Sequence, residues 1–349
     1  MKRILYIITF FLFTTCTGIF AQTDKGTPRN GEGIDNFLIR HKRTEVGHRK
    51  QFIELNKGKF GRNNSLLKGV TYVLPPLSGK KETIKTSTSA SNTANTASTQ
   101  KGTKRQNKLF GTKYQDYTVK SSKLKGATFF LSSGHGGPDP GAIGKVDGRE
   151  LHEDEYAYDI TLRLARNLLE EGATVYMIIQ DAKDGIRDDR YLANSNRETC
   201  MGKAIPLNQL KRLKQRSDKI NSLAAKSKDK YKRAVFVHVD SRSKKQQLDV
   251  FFYHSKNSNN GKKLANTMRN TFSSHYDKHQ PRRGFTGTVS TRSLYVLDNT
   301  TPVGIYAELG NIQNSFDQRR FLDPNNRQAL ANWMCRGFIT DYENSKKGK

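Results

Sequence analysis

Between residues 127 and 338, short runs of apolar residues alternate with longer segments that carry apolar residues at helical spacing. Repeated strand–helix–strand units of this kind build sheets that helices cover on both faces. We therefore predict an α/β fold, a three-layer α/β/α sandwich with a mostly parallel mixed sheet. The predicted strands are 127–131, 175–179, 234–238, 250–253, 294–297 and 303–308. The predicted helices are 153–171, 207–225, one around residues 264–272, and a last one that includes residues 330–338.

A low-complexity stretch separates this region from a smaller one near the N-terminus. Residues 86–100 contain only Ser, Thr, Ala, Asn and Gln, a composition that cannot bury a core and is typical of a flexible linker. We predict a small module over 31–77, a linker over 78–110 and a large domain over 111–343.

The first residues have the pattern of a secretory signal: two basic residues, an apolar run over 4–13 and a small-residue cleavage site after Ala21. We predict that residues 1–21 are removed and that the mature chain has no transmembrane segment. The protein is then exported to the periplasm or outside the cell. A lipid anchor on Cys16 is an alternative that the preceding residues fit poorly. A disulfide between Cys200 and Cys335 stays open in an oxidising compartment.

The chain is strongly basic, with 61 Lys and Arg against 32 Asp and Glu and a net charge of +29. This charge favours contact with anionic polymers, or it is simply a solvated basic surface. A nucleic-acid partner is not expected, because the sequence has no recognition motif of that kind and begins with an export signal.

Polar side chains follow several of the predicted strands. The glycine-rich segment 132–141 contains His135, the strand over 234–238 ends in His238, and Glu308 ends the last strand. Glu153 begins the helix after the His135 segment. Two imidazoles and one carboxylate with an open fourth position are typical of catalytic zinc, and a second carboxylate can act as general base. The helix-borne H-E-x-x-H motif is absent.

Taken in order, these motifs resemble those of the zinc-dependent N-acetylmuramoyl-L-alanine amidases of bacterial cell walls. Segment 134–144 reads GHGGPDPGAIG and matches the opening motif of that family almost letter for letter. The other matching elements are Glu153 with its I-T-L-R-L-A helix, the Arg216 and Asn221 pair, FVHVD at 236–240, LYVL at 294–297 and AELG at 307–310.

The resemblance implies one zinc ion bound by His135, Glu153 and His238, with Glu308 as the catalytic carboxylate. It implies hydrolysis of the amide between N-acetylmuramic acid and L-alanine in peptidoglycan, and it leaves an activator protein as an open partner. The alternative is a non-catalytic peptidoglycan-binding or envelope-binding protein with an amidase-like domain. The retained His135, His238 and Glu308 argue against that alternative.

Some positions depart from the family pattern or stay ambiguous. Glu150 competes with Glu153 as the carboxylate ligand, because it lies at the more usual distance from His135, and His152 is a weaker candidate. Arg292 and Asn221 are candidate substrate-binding residues. A polar insertion over 181–206 either gates the groove or is an ordinary surface loop.

The small module resembles a LysM domain. Leu55-Asn56 and the closing segment 67–75, with its Leu, Gly, Tyr, Leu and Pro, match degenerate positions of that family. The resemblance implies a βααβ unit that binds glycans containing N-acetylglucosamine, chiefly peptidoglycan. A small structural prodomain is the alternative.

Overall fold

A six-stranded sheet forms the centre of the larger of two units in this computed structural model. From one edge to the other, its strands are β14 (Thr288–Thr291), β13 (Phe251–His254), β15 (Val303–Glu308), β12 (Tyr231–His238), β5 (Ala127–Ser133) and β8 (Thr174–Met177). The sheet is mixed. β15, β12, β5 and β8 are parallel to one another, whereas β13 runs antiparallel to β15 and β14 is parallel to β13. The predicted mixed, mostly parallel sheet is confirmed.

The structure describes residues 24–29, 32–43, 48–61, 65–76, 102–239, 247, 249–280 and 283–347. These divide into two units, one over residues 24–76 and one over residues 102–347. The predicted export signal, Cys16 and the low-complexity stretch lie outside the described residues.

Helices cover both faces of the sheet, as predicted. Because side chains alternate along a strand, Phe129 and Leu131 of β5 enter one core, whereas Phe130 enters the other. The first face carries α3 (Glu153–Glu170), α5 (Asn259–His279) and α8 (Pro324–Lys347). The second face carries α4 (Gln209–Lys226) and α6 (Tyr295–Asp298). A further helix, α7 (Ser315–Leu322), precedes α8 in the chain.

Short hairpins surround this sandwich. They are β3 (Thr103–Gln106) with β4 (Asp116–Val119), β6 (Ile143–Val146) with β7 (Arg149–His152), and a three-stranded sheet of β9 (Ile179–Gln180), β10 (Thr199–Cys200) and β11 (Lys203–Ala204). The predicted linker boundary at residue 110 is therefore too late. Residues 103–110 belong to the larger unit, since β3 pairs with β4 and Phe110 is fully buried.

The prediction of a strand over 294–297 is wrong. Leu294 is the N-cap of the short helix α6, and Val296 and Leu297 of that helix pack into the core of the second face. A short apolar run does not distinguish a buried strand from a buried helical turn. The edge strand in this region is β14, whose exposed Thr-Val-Ser-Thr sequence carries no apolar alternation.

The smaller unit has a strand–helix–helix–strand order, but its first strand lies before residue 31, so the predicted start of the module is too late. Its elements are β1 (Lys25–Gly26), α1 (Ile34–Arg40), α2 (His48–Leu55) and β2 (Tyr72–Val73), with β1 antiparallel to β2. The rings of Phe37, Phe52 and Tyr72 pack together at centroid distances of 5.4 to 6.0 Å. Buried Asn56 joins α2 to β2, because its amide bonds both the carbonyl oxygen and the backbone N–H of Val73.

Cys200 and Cys335 are both buried free thiols. Cys200 lies in the core of one face of the sheet and Cys335 in the core of the other, so the structure contains no disulfide between them. Among the described helices, none combines the length and the apolar character needed to cross a membrane.

Candidate metal centre

The first candidate ligand projects from a tight loop at the end of β5. His135 has a φ of 56°, in the left-handed region that a non-glycine residue occupies only under some strain. The buried guanidinium of Arg216 holds this backbone in place, since it donates to the carbonyl oxygens of Ser133 and His135. Gly134 is needed beside it, because a Cβ there would overlap the ring of His238.

Three predicted ligands meet at this edge of the sheet. His135, Glu153 and His238 each offer one ligand atom, and these atoms lie within 4.8 Å of one another. The Nε2 of His135 is 3.4 Å from Oε2 of Glu153, and the Nδ1 of His238 is 3.1 Å from Oε1. The carboxylate thus lies between the two imidazoles.

Glu153 is held as an anion. It is 4% exposed, and its two oxygens accept hydrogen bonds from the backbone N–H groups of Ala142 and Val239, each at 2.9 Å. Burial alone would raise the pKa of this carboxyl, but the charge and hydrogen bonds of His135 and His238 outweigh burial and hold the pKa well below its usual range.

The two histidines experience opposite electrostatic environments. Burial lowers the pKa of His238 to about 4, so its ring is neutral at pH 7. At His135 burial also acts to lower the pKa, but the carboxylates of Glu153 and Asp139 outweigh it and raise the pKa to about 10. The site therefore stabilises positive charge beside His135, which is the condition a metal ion requires.

A second layer of contacts orients His135. Its Nδ1 lies 2.9 Å from Oδ2 of Asp139, and the same oxygen accepts a hydrogen bond from Arg212 of α4 at 2.5 Å. The Nδ1 contact leaves Nε2 to face the cavity. Carboxylate–histidine contacts of this kind fix the ring and the tautomer of metal-ligating histidines.

Glu308 lies beside the ligand set. It ends β15 and pairs in register with His238, which ends the parallel strand β12, so both side chains leave the same face of the sheet. Glu308 is 6% exposed. Tyr306, two residues earlier, stacks on the ring of His238 with centroids 4.3 Å apart.

The residues present fit a zinc ion. Two imidazole nitrogens and one carboxylate oxygen are the donors of a catalytic site with an open fourth position. The space between them depends on missing side chains, because a Cβ at Gly141 would come within 2.8 Å of Oε2 of Glu153 and one at Gly134 would overlap His238. A cavity opens from this set, with Arg212, Phe236, Tyr295 and Tyr306 among its walls.

The competing ligand candidates lie elsewhere. Glu150 is in β7 with its side chain 61% exposed and contacts His152 at 3.2 Å. The structure therefore places Glu153, and neither of these two residues, between His135 and His238.

The two candidate substrate-binding residues, Asn221 and Arg292, are not among the residues that line this cavity. Asn221 bonds the carbonyl oxygen of Asn299 and the backbone N–H of Thr301, which fixes α4 to the segment after α6. Arg292 is exposed, with its guanidinium 5.3 Å from the ring centroid of Tyr253. Asn221 thus has structural contacts, and the role of Arg292 stays a prediction.

The insertion over 181–206 is tied to the core. The fully buried guanidinium of Arg327 donates to the carbonyl oxygens of Arg187 and Asp189, and Arg163 donates to the same carbonyl of Arg187. Further along the insertion, Glu198 accepts a hydrogen bond from the N–H of Gly137 in the His135 loop. These contacts hold the His135 loop in place. They do not support the hypothesis that the insertion gates the groove.

Asp139, Arg212 and Tyr306 received no role from sequence reasoning. The sequence did contain a sign of the role of Asp139, because an acidic residue four positions after a candidate histidine ligand is close enough to contact the imidazole ring. Arg212 and Tyr306 come from distant elements, and only the tertiary structure brings them to His135 and His238.

A family model described as N-acetylmuramoyl-L-alanine amidase matches residues 130–340 of this chain. A curated relative, the probable cell wall amidase LytH of Staphylococcus aureus, is 27% identical over 224 residues, which cover 64% of this chain. The match spans 60% of the length of that relative.

Solved structures of low sequence identity also match. The CwlD amidase of Clostridioides difficile, solved in complex with the GerS lipoprotein, is 21% identical and covers 62% of this chain and 98% of its own, with a TM-score of 0.47. The N-acetylmuramoyl-L-alanine amidase AmiC2 of Nostoc punctiforme is 20% identical and covers 64% of this chain and 99% of its own, with a TM-score of 0.44.

Proposed function

The chain belongs to the N-acetylmuramoyl-L-alanine amidase family, and from this premise we propose that it hydrolyses the amide between N-acetylmuramic acid and L-alanine in peptidoglycan, using one zinc ion. The observation that carries the proposal is the convergence of His135, Glu153 and His238 beside Glu308.

In this proposal His135, Glu153 and His238 hold the zinc ion. Bound zinc supplies Lewis-acid polarisation of the scissile carbonyl and activation of water for attack. Asp139 and Arg212 keep the ring of His135 in its orientation. Phe236 and Tyr306 form apolar walls of the cavity, which limit the access of bulk water to the reacting amide.

Glu308 moves the proton. Its carboxylate accepts a proton from the attacking water as the new C–O bond forms, and it returns that proton to the alanine nitrogen as the C–N bond breaks. The products are the lactyl carboxylate of the glycan and a stem peptide with a free L-alanine amine.

We further propose that the smaller unit is a LysM-like module that binds the glycan strands of peptidoglycan in the cell envelope, after export of the chain. The strand–helix–helix–strand order and the Asn56 contacts to β2 support this assignment. A bound module raises the local concentration of the catalytic unit at its substrate.

The test is digestion of purified peptidoglycan by the zinc-loaded chain, with mass analysis of the released products. E308Q removes the proposed base and nearly preserves its shape, while E343Q changes an exposed glutamate of α8 and is the matched control. We expect stem peptides with N-terminal L-alanine from the unmodified chain and from E343Q, and a loss of at least 100-fold in rate for E308Q.

Equal release by E308Q would contradict the role of Glu308. Stoichiometric zinc without any release would indicate a missing activator protein or an occluding loop. A chain that binds the wall but no zinc would favour the non-catalytic envelope-binding alternative.

A further inference from the structure

A second group of acidic side chains, here called the acidic cluster, lies next to the candidate zinc site. It consists of Asp154 and Glu155 in the first turn of α3 and Glu198 just before β10. Each offers a carboxylate oxygen within 4.8 Å of the oxygens of the other two. The three residues are 2%, 1% and 5% exposed, respectively, so water does not solvate these charges.

Oxygens of the acidic cluster lack hydrogen-bond donors. Asp154 uses Oδ1 to accept the N–H of Glu155 at 2.9 Å, and Glu198 uses Oε2 to accept the N–H of Gly137 at 2.8 Å. No described residue donates a hydrogen bond to the buried atoms Oδ2 of Asp154 and Oε1 of Glu155. Buried acceptors without donors are unfavourable and uncommon in folded proteins.

The acidic cluster also has few cationic side chains beside it. Among the described cations, Arg187 forms an ion pair with it, at 2.8 Å from Oε2 of Glu155, and Arg187 is shared with Asp184 at 3.3 Å. As carboxylates, the three side chains carry three negative charges against one shared guanidinium, and a bound divalent cation would balance the other two. Buried carboxylates normally have a partner cation or a metal ion.

We propose that Asp154, Glu155 and Glu198 bind a hard divalent cation, and that this cation is calcium. An all-oxygen donor set favours calcium or magnesium over zinc, which prefers nitrogen and sulfur. Magnesium usually keeps several waters and is bound by one or two carboxylates, whereas calcium accepts several protein carboxylates around it. Three buried carboxylates in one cluster therefore favour calcium.

The position of this site gives the cation a structural effect. Asp154 directly follows Glu153, and Glu198 bonds Gly137, two residues after His135. A cation held by both would join the start of α3 to the insertion and fix the loop between them. It would support two of the three zinc ligands without touching the reacting atoms.

The test measures calcium and zinc content separately in the zinc-loaded full chain, by equilibrium dialysis and elemental analysis. D154N and E198Q each remove one charge but keep an oxygen that can accept the hydrogen bond seen here, and E343Q is the exposed control. We expect one calcium per chain in the unmodified protein and in E343Q, and calcium affinity at least tenfold weaker in D154N and E198Q with zinc content unchanged.

Thermal unfolding separates loss of binding from loss of folding. Without calcium, D154N and E198Q relieve repulsion and are expected to melt at or above the temperature of the unmodified chain. With calcium, only the unmodified chain and E343Q gain stability, so their melting temperatures then exceed those of D154N and E198Q.

The proposal is overturned if the unmodified chain retains no more calcium than D154N, or if calcium raises all four melting temperatures equally. The first result would mean that protons balance the cluster. An equal affinity for magnesium would overturn the assignment of calcium.

Discussion

At the scale of single residues, the candidate zinc site is defined as much by its supporting contacts as by its ligands. The ring of His135 is held by Asp139, which is held in turn by Arg212, and its backbone carbonyl is held by Arg216. Glu153 is fixed by two backbone N–H groups. These contacts restrict the positions of both ligands through groups other than the metal.

The first prediction concerns proton release when zinc binds. In the metal-free site at pH 7, His238 is neutral and Glu153 is ionised, but His135, whose pKa is raised to about 10, carries a proton that zinc must displace. We expect release of about one proton per zinc, and zinc affinity that rises about tenfold per pH unit between pH 5.5 and 8. Calorimetry in buffers of different ionisation enthalpy measures this release, and a pH-independent affinity would contradict it.

The second prediction concerns Asp139. D139N removes the charge that orients His135 and that pairs with Arg212, so we expect zinc affinity to fall by about 10-fold to 100-fold, as for other contacts to metal-ligating histidines. Competition with a chromophoric chelator measures the affinity. D218N, which changes an exposed aspartate of α4 paired with Lys214, is the control. Equal zinc affinity of D139N and D218N would show that the Asp139 contact is not needed.

At this scale, sequence reasoning predicted the residues that a local motif marks. His135, Glu153 and His238 end or begin strongly patterned elements, so their convergence followed from the expected sheet. The prediction of Asn221 as a substrate contact did not rest on such a patterned strand end. Its exposed helical position left its partners undetermined, and they turned out to be backbone groups near α6.

At the scale of secondary-structure elements, the insertion is joined to the helices of the first face by buried charge. Arg327 of α8 contacts Asp159 of α3 at 2.6 Å and two carbonyl oxygens of the insertion. One side chain thus connects three parts of the chain. The sequence could not predict this, because a polar segment of 26 positions over 181–206 looks like a solvated loop until its partners are known.

The third prediction concerns this connection. R327M removes the guanidinium and leaves part of the charge of Asp159 and two carbonyl oxygens unsatisfied, so we expect a loss of about 3–5 kcal/mol in the free energy of unfolding. Urea denaturation followed by circular dichroism measures it. R336M changes an exposed arginine on the same helix and should cost less than about 0.5 kcal/mol. A similar cost for both variants would contradict the special role of Arg327.

The sheet was predictable where strands are buried on both faces and therefore read as continuous apolar runs, as in β5 and β12. Residues 294–297 have the same apolar character but form a helical turn. The sequence gives no local sign of this difference, because the packing of Val296 and Leu297 decides it.

At the scale of the whole molecule, the chain combines two separately cored units with a net charge of +29. The larger unit holds the candidate zinc site, and the smaller one has its own aromatic core. Under the proposed function, the smaller unit and the basic charge both increase the time the protein spends on the wall, while cleavage depends on the larger unit alone.

The fourth prediction separates these contributions. A chain without residues 24–76 is expected to cleave soluble peptidoglycan fragments at an unchanged rate but intact sacculi at least tenfold more slowly, because it loses the second attachment point. Product release from both substrates measures this difference, with the N56A variant of the full chain as a second test of the smaller unit. The remaining wall affinity of the truncated chain should fall as salt screens its charge. Equal loss on both substrates would contradict the division of roles.

Gly134 gives the site an unusual evolutionary position. The two imidazoles approach each other only because this residue has no side chain, since one methyl group would occupy the volume of the His238 ring. The overlap involves the loop after β5 and one side chain at the end of β12, so we expect a single change to alanine to abolish the metal site and leave the sheet in place. Under the proposed function, one codon change therefore separates an active amidase from a wall-binding protein without activity, and the reverse step is equally short.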